Sequence, residues 1–240
     1  MKQPIIPQKG AKTAMIPIRD ELKTRRFPLV NTLLIIINIV VFTLQWLTGA
    51  EQDGALLYQF AFIPANFLAA PTNINNVRNI FTAMFMHAGF LHLAGNMLYL
   101  WIFGDNIEDA LGHLPYLVFY LVGGVVATLA HVITNPASLI PTVGASGAIA
   151  AVLGAYLVLY PRSHVLTFIP IGYFMTLKLV PASIVLGVWF ILQFFNGVLS
   201  LGGPDVGGIA FWAHIGGFVT GVVLALLFGK RRQYSQQRRW

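Results

Sequence analysis

The chain contains no cysteine, which excludes disulfides, thiolate nucleophiles and cysteine-held metals. It is also poor in charge. Only 10% of its 240 residues are Asp, Glu, Lys or Arg, against about 25% in a soluble globular domain. Acidic residues are the scarcest of these, eight against fifteen Lys and Arg. No His-Glu-x-x-His sequence is present to build a helical zinc site. The paired internal repeats and broken helices with midplane charges that mark a transporter are also missing. What remains is apolar, with 57% of residues hydrophobic. The composition describes an all-α membrane protein that crosses the bilayer several times and leaves no room for a separate soluble domain.

The net charge of +7 could suggest nucleic acid, but its placement argues against that. Seven of the fifteen basic residues precede Pro28, and five lie in 230–239, leaving Arg78, Arg162 and Lys178. Basic clusters beside apolar spans follow the positive-inside rule. Residues 1–27 are expected as a basic cytoplasmic N-terminal tail, 28–229 as the transmembrane domain, and 230–240 as a basic cytoplasmic C-terminal tail. A span needs about 20 mostly apolar residues. Six segments qualify, at 28–48, 91–111, 115–134, 144–160, 180–200 and 209–229. The first is too long for a signal peptide and lacks a clear small-residue cleavage site, so it is expected to be a retained anchor. With both termini inside, the loop carrying Arg162 and Lys178 is inside as well, and the long loop 49–90 is outside. That outer loop is rich in Phe, Leu and Met, so it is expected to pack on the bundle or enter the outer leaflet.

This topology gathers polar residues at one depth. His92 and Asn96 on span two, Ser146 on span four and His214 on span six each fall just inside the outer end of their spans. His92 and Asn96 are four apart and share a helix face. Gly147, Ala151 and Ala155 form a row of small residues on span four, and His214, Gly217, Gly221 and Ala225 form one on span six. Such faces let backbones approach closely in lipid, and contact between them would bring Ser146 to His214. A histidine within a span is costly and usually functional. A serine beside it can be activated, because the imidazole takes the hydroxyl proton. Asp105, Glu108 and Asp109 lie at the opposite end, facing the cytoplasm or capping a helix, and Asp205 lies in a loop. The pattern therefore suggests a dyad rather than a triad. His92, Asn96 and the Ser146 backbone N–H could serve as oxyanion donors. His131 reads as an interfacial residue, and Trp46, Trp101, Trp189 and Trp212 as an aromatic belt.

Three motifs carry a family likeness. They are His87-xxxx-His92-xxx-Asn96, Gly144-Ala145-Ser146-Gly147, and Ala213-His214-xx-Gly217-xxx-Gly221, joined by the stretch NMLYLWIFGDNIEDALG at 96–112. Over residues 16–229 the chain resembles the rhomboid intramembrane serine proteases of the bacterial kind. The resemblance implies a six-transmembrane-helix bundle with a water-filled cavity open to the outside. It implies Ser146 as nucleophile, His214 as base, and His92 and Asn96 at the oxyanion site, with His87 near the cavity mouth. Cleavage near the outer end of a substrate's transmembrane helix is implied too, in the bacterial inner membrane. The partners are then transmembrane substrate proteins and membrane lipid, with no nucleic acid, cofactor or metal. All proposed groups come from one chain, so nothing requires a second copy.

Two departures matter. Some members carry a tyrosine four residues after the serine, stacked on the histidine, where this chain has Ala150. Support for His214 is then expected from Phe211 or Trp212. The tryptophan-arginine pair of some members' first outer loop is also missing. By the same resemblance, the glycine-rich loop at 196–208 would cap the site as a lid, beside a gating span five. The alternative is a rhomboid-fold protein that holds membrane clients without cutting them, though such relatives typically lose the serine or histidine.

Overall fold

The structure is a computed structural model that describes residues 15–48, 55–171, 174–201 and 210–228. The lid glycines Gly202, Gly203, Gly207 and Gly208, Asp205 and the C-terminal tail lie outside these residues. In chain order the elements are strand β1 (Ile16–Asp20), helix α1 (Leu29–Leu47), and three short helices, α2 (Ala55–Phe60), α3 (Pro64–Ala69) and α4 (Ile74–Thr82). Helix α5 (Phe90–Tyr99) continues through a π-helical turn (Leu100–Gly104) into α6 (Asp105–Leu111). Helices α7 (His113–Thr134) and α8 (Ser146–Leu159) precede a hairpin of β2 (His164–Ile171) and β3 (Phe174–Pro181). Helices α9 (Ala182–Ser200) and α10 (Phe211–Phe228) follow. Among the described residues α1, α7, α9 and α10 are long and apolar enough to cross a membrane, and α8 is a shorter apolar helix.

The molecule is mostly helical but not all-α. An antiparallel sheet of order β1-β2-β3 pairs Ile16 with Phe168 and Asp20 with Val165, while Val165 pairs with Val180. The stretch expected as a tail thus contributes a strand whose partner lies about 150 residues away. The physical reason is alternation. Val165 and Thr167 are fully buried, whereas Leu166 and Phe168 are only partly covered, the period-two pattern of a half-buried strand. The Asp20 carboxylate anchors this sheet to the bundle, accepting from the Tyr156 hydroxyl at 2.6 Å and the Asn106 amide at 2.8 Å.

A second polar knot ties α1 to the π turn, α6 and α7. Helix α1 has no side-chain cap of its own. The buried Glu108 carboxylate supplies one, accepting from the backbone N–H groups of Val30 at 2.9 Å and Asn31 at 2.7 Å. Negative charge suits a helix N-terminus. His113 meets the same carboxylate. The Asn31 amide donates to the Leu100 carbonyl at the π turn, and its oxygen accepts from Tyr116. At such a turn the helical ladder is interrupted, so its carbonyls need partners from elsewhere.

Helices α8 and α10 touch backbone to backbone. A Cβ at Gly217 would collide with the Gly147 carbonyl oxygen, and one at Gly221 with that of Ala151. From the other side, a Cβ at Gly154 would collide with the Phe218 carbonyl. The segment between α1 and α5 packs on α7, where Phe62, Ile80, Ala83, Met84 and Val132 form a small core of their own. Paired backbone hydrogen bonds between Phe62 and Thr142 lock that segment to the loop before α8.

Candidate active site

The close contact of α8 and α10 brings their N-terminal turns together. His214 Nε2 lies 2.8 Å from Ser146 Oγ. Ser146 is the first residue of α8, so its backbone N–H is among the donors a helix start leaves free. The preceding loop is held in place by Gly144, whose N–H donates to the Ala83 carbonyl at 2.8 Å. Gly144 has φ +125°, a backbone conformation that favours glycine.

His92 and Asn96 reach the serine loop from α5. A Cβ on Gly144 would sit 2.8 Å from His92 Nε2 and 3.6 Å from Asn96 Nδ2. The Nδ1 atom of His92 accepts the Ala88 N–H in a long bond of 3.4 Å. That assigns the ring proton to Nε2, the ring nitrogen turned towards Gly144. Asn96 is buried, and its Nδ2 has no hydrogen-bond partner among the described residues. An orphaned buried donor is uncommon and calls for an explanation.

His87 stands behind His92, ring edge to ring face, with centroids 5.1 Å apart. It is buried, and both ring nitrogens lack partners among the described residues. Burial, and after it the neighbouring His92, holds its pKa down at about 4, so the ring is neutral above that pH. Its backbone is clamped from α1, with Gln45 accepting from the His87 N–H at 3.1 Å and donating to its carbonyl at 3.2 Å.

Support for His214 comes from neither Phe211 nor Trp212. Trp212 turns its indole N–H to the Gly197 carbonyl at 3.1 Å. Instead α9 supplies two side chains one turn apart. Trp189 packs against the imidazole with centroids 5.9 Å apart, and Gln193 Oε1 lies 2.8 Å from His214 Nδ1. From the sequence Trp189 reads as part of an aromatic belt, and Gln193 carries no assigned role. A signal was available, because Gln193 lies four residues after Trp189, in the half of a nearly apolar helix that leads towards the start of α10 and so towards His214. His131, expected at the interface, is buried, with its Nδ1 3.2 Å from the Asn135 amide.

Apolar helices long enough to span a bilayer, closed around a histidine-paired serine, define an integral membrane protein with a polar site inside its bundle. Residues 75–231, well over half of the chain, match the Rhomboid domain family, and the chain belongs to that family. It is 28% identical over 233 residues to RHOMBOID-like protein 1 of Arabidopsis thaliana, covering 87% of this chain and 55% of that one. To Presenilin-associated rhomboid-like protein A, mitochondrial, of Danio rerio it is 30% identical over 152 residues, covering 61% and 40%. To Rhomboid protease GluP of Bacillus subtilis it is 28% identical over 205 residues, covering 84% and 35%. The chain thus spans about half or less of the length of these relatives.

Proposed function

We propose that this protein is an intramembrane serine endopeptidase that cuts a transmembrane helix of another protein near its outer end. The observation that carries the proposal is the 2.8 Å approach of His214 Nε2 to Ser146 Oγ. On this reading His214 takes the hydroxyl proton as Ser146 Oγ attacks the scissile carbonyl carbon. The carbonyl oxygen becomes an oxyanion beside three donors, namely Asn96 Nδ2, His92 Nε2–H and the Ser146 backbone N–H. The orphaned amide of Asn96 supports this role, since it is held without a partner beside the serine loop. Collapse of the intermediate breaks the C–N bond, and the imidazolium returns its proton to the leaving amine. Water, deprotonated by His214, then releases the acyl group from Ser146. The substrate segment must unwind to expose its peptide bond, and helix-breaking residues lower that cost.

The same reading has six spans, with the helical segment 90–111 and α8 joining the four long helices. Both termini face the cytoplasm, and the outer segment is partly embedded in the outer leaflet. The membrane is then the bacterial inner membrane. The likeness to a relative named as a protease, Rhomboid protease GluP of Bacillus subtilis, supports the activity.

The test is fluorophosphonate labelling in detergent beside cleavage of a model transmembrane substrate, for wild type, Ser146→Ala and His214→Ala. Labelling and cleavage by wild type alone, with all three folded, is the expected result. Cleavage that persists without Ser146 would overturn the dyad. A folded wild type that neither labels nor cleaves would favour the client-holding alternative.

A further inference from the structure

We infer that Gln193 is a positioning residue that fixes the proton of His214 on Nδ1 and leaves Nε2 bare towards Ser146. The inference rests on the dyad reading above and adds a third group to it. The geometry is that of an orienting contact. Gln193 Oε1 and Ser146 Oγ lie on opposite nitrogens of one imidazole, each at 2.8 Å. An amide oxygen can only accept, so the nitrogen facing it carries the hydrogen. The other nitrogen is then the acceptor that a serine hydroxyl needs. A free imidazole divides its population between two tautomers and rotates, and only one of these arrangements can take the serine proton.

The contact is built into the fold. Val185, Trp189, Gln193 and Gly197 recur every four residues on α9 and share one helix face. Val185 and Gly197 are buried, Trp189 packs on both His214 and Phe218, and Gly197 accepts the Trp212 indole N–H. Most of the opposite face is open, with Ile184, Ile191, Phe195 and Leu199 all exposed. Gln193 therefore stands on a stripe already seated against α10. Trp189 lies where it can keep the ring from tipping, a task that Ala150 is too small to perform.

A glutamine differs from the aspartate of a triad in carrying no charge. It selects the tautomer and gives the imidazolium one ion–dipole hydrogen bond, but no ion pair. A second consequence concerns entry of the substrate. If α9 moved aside by several ångströms, the Gln193 contact would break and the base would lose its orientation. Chemistry on this account requires α9 to be seated, whatever route the substrate takes in.

The experiment compares wild type with Gln193→Leu, which keeps the volume but removes the acceptor, and Gln193→Glu, which keeps the acceptor and adds charge. Two readouts are taken, long-range 1H–15N NMR of the histidine tautomer and the pH profile of turnover. The other titratable groups facing His214 are His92 and His131, unchanged in both variants. Wild type is expected to show Nδ1–H, and Gln193→Leu a mixture with kcat down about 10- to 100-fold and KM little changed. Gln193→Glu is expected to remain active with the acidic limb of its profile moved up by roughly one pH unit. A Gln193→Leu protein with wild-type tautomer and kcat would overturn the inference. If that variant does not fold, an unmoved limb in Gln193→Glu would overturn it instead. An inert wild type would defeat the protease reading, yet the tautomer measurement would still decide the role of Gln193.

Discussion

The α-carbon of Gly144 rests against the imidazole of His92, so closely that a Cβ there would lie 2.8 Å from the ring's Nε2. The loop before Ser146 is therefore shaped by two demands on one residue, a φ of +125° and room for the ring. Gly144→Ala meets neither. The left-handed backbone costs an L-residue about 1–3 kcal/mol, and the methyl group pushes His92 away from the serine loop. Turnover is expected to fall about 10²-fold or more, the scale of losing one oxyanion donor. Fluorophosphonate labelling rates and cleavage kinetics would measure this. Wild-type kinetics in a folded Gly144→Ala protein would show that the loop and His92 need not meet.

Much of this site is legible in the sequence because polar residues are conspicuous in apolar spans. Ser146, His214, His92 and Asn96 stand out for that reason, and the rows of glycine and alanine on α8 and α10 announce a close helix contact. Gln193 is less legible. A single glutamine two turns inside the end of an apolar helix carries no visible role until a partner 21 residues further on is known. The sheet is harder still. Ile16–Asp20 sits in a basic stretch, and its strand character comes from β2, far along the chain. Glu108 is legible in part. An acid at that end of an apolar segment suggests solvent or a helix cap; it is a cap, and the helix it caps is α1, far back in the chain.

Glu108 yields a prediction that separates stability from chemistry. Glu108→Ala removes the acceptor from the Val30 and Asn31 N–H groups, in a place where water is excluded. Hydrogen bonds to a buried charge contribute about 1.5–3 kcal/mol each, with large losses when the partners are stranded. The variant is expected to lose about 2–4 kcal/mol of stability, seen as a lower thermal midpoint in detergent. Glu108→Gln, which keeps one acceptor oxygen, should fall between. Below their midpoints both should keep near-wild-type turnover, since the knot lies at the other end of the helices from Ser146. A drop in kcat without a drop in stability would contradict this division.

Asp20 predicts a pH dependence of stability. Burial pushes its carboxyl up to about 6, against the hydrogen bonds from Tyr156 and Asn106, and neighbouring Glu21 adds to the rise. A raised folded-state pKa means that the protonated form is favoured in the fold. The stabilisation is fully present below about pH 4, where the unfolded chain is protonated too. It is lost as pH rises through about 6. The span of this effect is on the order of 2 kcal/mol. Asp20→Asn keeps an oxygen to accept from Tyr156 but cannot ionise. Its thermal midpoint should change less than that of wild type between pH 4 and 7, and should exceed wild type at pH 7. Parallel profiles for the two proteins would rule out Asp20 as the source.

Gly221 tests whether the distance between α8 and α10 sets the distance between serine and histidine. It lies two turns below His214, and its α-carbon faces the Ala151 carbonyl with no space for a methyl group. In Gly221→Ala the helices must separate or rotate, because backbone atoms on both sides cannot yield as a flexible side chain would. Overpacking of this kind costs about 1–3 kcal/mol. Tilting α10 away from α8 also lengthens the His214–Ser146 contact at the N-terminal ends of the two helices. Both stability and turnover should therefore fall, and a cavity-making second change, Ala151→Gly, should not restore them, since the collision is with the backbone oxygen of residue 151 rather than its side chain. Thermal midpoints and labelling rates of the single and double variants would decide this. Recovery in the double variant would mean that side chains, not the backbones, set the spacing of the two helices.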